Sequence, residues 1–123
     1  MPTQIFKDIV QWDLGPVIQG TTTDNISFTL VDPAFPDGLN GANVVMTLTL
    51  PGTTIVEKTF DVGDGGIVIN DADACVFSLA PYTCLLKPID YLYDIKIVYP
   101  GDIIKKRFRG FYKVENDLTK CLT

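Results

Sequence analysis

The stretch Tyr91-Leu92-Tyr93-Asp94-Ile95-Lys96-Ile97-Val98-Tyr99, then Pro100-Gly101-Asp102, then Ile103-Ile104-Lys105-Lys106-Arg107-Phe108-Arg109-Gly110-Phe111-Tyr112-Lys113-Val114-Glu115, decides the reading of this chain. Much of both halves alternates apolar and polar residues, the pattern of strands with one buried and one wet face. The Pro-Gly pair between them predicts a hairpin. If Pro100-Gly101 forms a two-residue loop, Ile97 stands opposite Ile104, Tyr93 opposite Phe108 and Asp94 opposite Arg107. Aromatic and opposite-charge pairs of this kind contribute roughly 0.2 to 1 kcal/mol each. The same register opposes Lys96 to Lys105, a like-charge pair that marks a candidate bulge.

The alternation extends upstream. Asn25 to Val31 places Ile26, Phe28 and Leu30 on one face, and Asn43 to Leu50 turns Val44, Met46, Leu48 and Leu50 inward. Pro51-Gly52 suits a type II turn, because Pro fixes φ and Gly accepts a positive φ, and it leads into Thr54 to Phe60. Short strands follow at Ile67 to Ile69 and Cys75 to Leu79, the latter with Cys75 in a core position. Ala80 to Asp90, with two prolines and no clean period, reads as a loop with room for one helical turn around Tyr82 to Leu86. About seven or eight short strands with turns at this spacing predict an all-β fold, an immunoglobulin-like antiparallel β-sandwich. Residues 1–23 read as a lead-in arm or edge strand, 24–117 as the sandwich and 118–123 as a tail.

Composition narrows the function. The 123 residues contain no histidine and only two glutamates, which removes most of the side chains used for acid-base and metal chemistry near neutral pH. Cys75, Cys84 and Cys121 form no C-x-x-C pair, so neither a zinc site nor any other cofactor is expected. Asp61, Asp64, Asp71 and Asp73 offer oxygen atoms of the kind calcium takes, but without EF-hand spacing they read as turn residues. Carboxylate-only hydrolysis is the one catalytic route left open, and the chain reads as a binding or building protein rather than an enzyme. A net charge of −5 argues against nucleic acid as a partner. The start, Met1-Pro2-Thr3-Gln4-Ile5-Phe6, has neither a basic nor an apolar leader segment, and no apolar run reaches membrane-spanning length.

Three stretches, taken in order, resemble a known family. Leu39-Asn40-Gly41-Ala42-Asn43-Val44-Val45-Met46 is similar to an L-T-G-A-x-V strand opening. Gly65-Gly66-Ile67-Val68-Ile69-Asn70-Asp71-Ala72 is similar to a G-G-I-x-I-x-D-A segment. Tyr91-Leu92-Tyr93-Asp94-Ile95, closing with Gly110-Phe111-Tyr112-Lys113-Val114, is similar to a Y-x-Y-D-I and G-x-F-x-V hairpin. Together they resemble immunoglobulin-like β-sandwich modules of tailed-bacteriophage virion proteins, including the N-terminal domain of baseplate upper proteins, over roughly residues 24 to 117. Cys75, where such modules tend to carry a small residue, and the Cys84 loop depart from that pattern. The resemblance implies a virion protein, made in the host cytoplasm, that assembles with copies of itself and with other virion proteins at the tail, baseplate, neck or capsid surface. It carries no catalytic residues.

Two groups of residues are candidates for partner binding. Six of the ten basic residues lie between Lys96 and Lys113, and strict alternation puts Lys105, Arg107, Arg109 and Lys113 on one outward face, where a positive stripe would steer an acidic partner. The lead-in concentrates large apolar groups, among them Phe6 and Trp12. Aromatic anchors of this type dominate binding energy where a partner supplies a pocket, although Trp12 also fits the core of the chain's own sandwich. A receptor- or carbohydrate-binding module, with Tyr82, Tyr91 or Tyr99 as stacking platforms, is the alternative reading.

Overall fold

Nine strands follow the alternating segments in this computed structural model, which describes residues 10–30 and 38–116. They are β1 (Val10–Gln11), β2 (Leu14–Ile18), β3 (Ile26–Thr29), β4 (Asn43–Thr49), β5 (Val56–Asp61), β6 (Ile67–Asp71), β7 (Val76–Leu79), β8 (Asp90–Tyr99) and β9 (Ile103–Glu115). The larger sheet runs β1-β9-β8-β4-β5, with β2 also on β9, and the smaller runs β3-β7-β6. No helix occurs among the described residues. The chain is therefore all-β, with two sheets arranged as a β-sandwich.

Period-two alternation fills the space between the sheets. Val44, Met46 and Leu48 of β4 and Tyr91, Tyr93, Ile95 and Ile97 of β8 face Phe28, Phe77 and Leu79 of the smaller sheet, all of them buried. Phe28 joins the two layers. Its ring stacks on Phe77 at 5.1 Å and meets Phe108 edge-on at 5.0 Å, and aromatic pairs of this geometry contribute about 0.5–1.5 kcal/mol beyond their burial.

The Pro51-Gly52 turn has the expected chemistry: Gly52 has φ 74° and Thr53 N–H donates to the Leu50 carbonyl at 3.1 Å. The 80–89 segment forms no helical turn. It is held by an isolated bridge between Thr22 and Thr83, and by Cys84 N–H donating to the Thr21 carbonyl at 2.9 Å. Cys75 is no core residue; it lies half-buried at φ 58° in the turn before β7.

The closing hairpin departs from the predicted register twice. Its loop has three residues, Pro100-Gly101-Asp102, with Gly101 and Asp102 both at positive φ, so Tyr99 pairs with Ile103 and Ile97 with Lys105. A bulge then inserts Arg107, and from there Ile95 pairs with Phe108, Asp94 with Arg109 and Tyr93 with Gly110. The like-charge contact persists, moved by one position by the third loop residue and not by the bulge: Lys96 stands opposite Lys106.

The described part of the lead-in belongs to the larger sheet. Both β1 and β2 run parallel to β9, with a register shift across Gly15-Pro16, whose peptide bond is cis. Trp12 N–H donates to the Arg109 carbonyl at 2.9 Å, Phe111 N–H donates to Asp13 Oδ1 at 3.0 Å, and the Tyr93 hydroxyl donates to the Trp12 carbonyl. These bonds draw the Trp12 backbone directly over Gly110. A Cβ there would run into the Trp12 carbonyl, so the lead-in docks only because β9 carries glycine at this position. Gly110→Ala is expected to destabilise the protein by about 1–3 kcal/mol, the usual cost of overpacking. Urea denaturation and a red shift of Trp12 fluorescence would measure it; unchanged values of both would refute the close approach.

Candidate functional site

The bulge redistributes the basic residues that strict alternation placed on one face. Below it, Arg109 lies on the outer face of the larger sheet beside Asp94. At it, Arg107 turns inward and is only 5% exposed. Beyond it, Lys105 takes the face of its partner Ile97, while Lys106 takes the outer face with Lys96. Lys105, Arg107 and Arg109 therefore do not share a stripe. One inserted residue reverses the side of every residue that follows it.

The outer face of β8 and β9 nevertheless gathers a different set. Lys96, Lys106 and Arg109 surround Asp94, and Lys106 Nζ lies 3.5 Å from Asp94 Oδ2. Arg109 Nε donates to Gln11 Oε1 at 3.4 Å, across the β1–β9 pair. One row away, Leu92 and Phe111 are direct cross-strand partners, 39% and 40% exposed. A groove of about 450 Å³ runs past Leu92, Asp94, Lys106, Arg109 and Phe111. An apolar pair rimmed by cations is the composition of a protein-contact surface, where buried aromatics supply anchorage and rim charges supply orientation. Leu92, Phe111 and Lys96 are legible as outward positions of the alternation; Lys106 is not, because strict alternation places it on the opposite face and only the bulge brings it beside them.

Trp12 is not enclosed in the core of the sandwich. It is 41% exposed, and its ring stands edge-on to Phe28 at 5.2 Å. Phe6 lies outside the described residues.

The acidic turns use their carboxylates locally. Asp64 Oδ1 accepts from Asp61 N–H and Gly66 N–H, Asp61 Oδ1 from Asp64 N–H, and Asp71 Oδ1 from Ala74 N–H. Asp73 Oδ1 accepts from Asn40 Nδ2 at 2.8 Å. The bonds to Asp61, Asp64 and Asp71 are the side-chain-to-backbone bonds that favour Asp in turns, whereas Asp73 accepts from a distant side chain.

The three tyrosines considered as stacking platforms offer no open ring face for that purpose. Tyr91 and Tyr99 are buried, and half-buried Tyr82 packs on Phe60 while its hydroxyl shares a 2.6 Å hydrogen bond with that of Tyr112. Tyr91 instead donates its hydroxyl to the Lys87 carbonyl at 3.0 Å, tying the start of β8 to the loop before it. Burial holds the Tyr112 phenol up at about 12. Burial likewise raises Tyr82, reinforced by its bond to Tyr112, and Tyr91, and raises Tyr93, reinforced by the charge of Asp13.

No protein-family model and no curated protein matches the chain.

Two outcomes are expected. In the unfolded chain the phenols ionise near pH 10, whereas in the fold they stay protonated. The folded state thus binds more protons above pH 10, and stability falls as pH rises through 10 to 12, by up to about 1.4 kcal/mol per pH unit from Tyr112. Absorbance at 295 nm should rise together with the loss of circular dichroism; phenol titration with the fold intact would contradict the burial. Because the Lys106–Asp94 pair is solvent-exposed, Asp94→Asn should change stability by less than about 1 kcal/mol in urea titrations.

Proposed function

We propose that this chain is a structural protein of a tailed-bacteriophage virion. In this reading it is an immunoglobulin-like sandwich, similar to the N-terminal domain of baseplate upper proteins, that assembles through protein-protein contacts at the tail, baseplate, neck or capsid surface. The observation that carries it is the position of the three resembling stretches. Leu39 to Met46 opens β4, Gly65 to Ala72 spans β6, and within the hairpin stretch Tyr91 to Tyr93 pair with Gly110 to Tyr112 across β8 and β9. The resemblance thus falls on the joints of both sheets rather than on one local segment.

Two further features support the immunoglobulin-like part. The order β3-β7-β6 against β9-β8-β4-β5 agrees with the division of strands between the two sheets of such sandwiches, and the Tyr91 hydroxyl bond to the Lys87 carbonyl has the form of their tyrosine corner. The cation-rimmed Leu92–Phe111 groove supports the assembly part. Such an element has no need of a catalytic centre, in keeping with a chain that lacks histidine.

Mass spectrometry of purified virus particles should find the chain at stoichiometric abundance, and antibody-gold labelling should place it on the tail, neck or head surface. Absence from particles, with the chain abundant in the same lysate, would overturn the proposal.

A further inference from the structure

The outer face of β8 and β9 carries a charge arrangement that its own sheet leaves unbalanced. Lys96 and Lys106 stand directly opposite each other, a pairing that costs stability where no anion intervenes. Asp94 is the acid placed among them and Arg109, so three cations share one carboxylate on this part of the face. Beside them the Leu92–Phe111 pair leaves two large apolar side chains about two-fifths exposed at the centre of the sheet, not at a frayed edge. Charge elsewhere has the opposite sign. Outside residues 94–113 the sequence holds four basic side chains against thirteen acidic ones. Asp64 and Asp73 are exposed in the turns flanking β6, Asp71 is exposed at its end on the smaller sheet, and Asp61 is partly exposed at the end of β5.

We infer that this face docks a second copy of the same chain through the acidic turns around that copy's β6. The inference deepens the assembly role proposed above and rests on it. Charge complementarity selects the occupant, because each copy presents both a cationic patch beside an apolar pair and an acidic surface of the opposite sign. The same charges exclude the face from packing on its own equivalent about a two-fold axis, since Lys96, Lys106 and Arg109 would then meet their counterparts. The contact is therefore heterologous: one surface of each copy meets a different surface of the next, and repetition yields a ring or a filament. Leu92 and Phe111 anchor it, while the cations set its orientation and make it salt-dependent.

The test uses the full chain in sedimentation velocity at about 50 mM and about 500 mM salt, which differ severalfold in screening. The wild-type chain should associate at low salt and dissociate at high salt. Lys106→Glu with Arg109→Glu should weaken association at least tenfold, as should Asp71→Lys with Asp73→Lys. An equimolar mixture of these two double variants should recover association at low salt, because the retained acidic turns of one meet the retained cationic face of the other and the reversed charges also complement each other. Leu92→Ala with Phe111→Ala should also weaken it without loss of the β-sheet circular dichroism spectrum. A monomeric wild-type chain at all concentrations, a closed symmetric dimer, or association indifferent to the charge changes would each overturn the inference. A monomer in solution that is nonetheless found in virus particles would remove this contact and leave the virion role standing; a chain that associates as described but is absent from particles would do the reverse.

Discussion

In a β-strand successive side chains point to opposite faces, so a single inserted residue inverts the assignment of everything beyond it. Arg107 is that residue. Below it, β9 turns Phe108, Tyr112 and Val114 into the core and Arg109 and Phe111 outward; beyond it, Lys106 rather than Lys105 joins the outer face. The bulge lets the Phe108 side complete the aromatic core with Phe28 and Phe77 while the hairpin tip keeps its three-residue turn. The composition of the exposed face follows from that compromise.

The same strand organises the lead-in. Because β9 is long, its outer edge receives β1 and β2 in parallel, and Gly110 removes the side chain that would otherwise hold them off. The Tyr93 hydroxyl and the Asp13 carboxylate then tie the Trp12 turn to both strands of the hairpin. Buried phenols recur at these joints, with Tyr91 on the Lys87 carbonyl and Tyr82 on Tyr112. Each satisfies a polar group that the sandwich encloses, as buried hydroxyls require. They are structural ties, which explains why tyrosines that looked available for ligand stacking are turned inward.

A sandwich fastened in this way leaves its outer sheet face for contact. The Leu92–Phe111 pair and the surrounding cations occupy central strands, where a rigid, already paired backbone presents them without an ordering cost of its own. The proposed assembly role needs little more than such a surface, held in one geometry and oriented by charge.

Local chemistry in the sequence determined the strands, the Pro51-Gly52 turn and most of the core. Period-two alternation over residues 43–49 and 91–99 leaves one face to bury, and Pro and Gly restrict backbone angles without reference to the rest of the molecule. It also showed that positive charge gathers between Lys96 and Lys113. Only the tertiary structure decided which of those cations share a face, that Trp12 lies half-exposed against Phe28, and that Tyr82 meets Tyr112. Those outcomes hang on the loop at Asp102, the inserted Arg107 and the parallel pairing of Val10 and Gln11 with Phe108 and Arg109, far along the chain. A one-residue change in any of them leaves the hydrophobic pattern nearly unaltered yet exchanges inside for outside, so pattern alone cannot select among them.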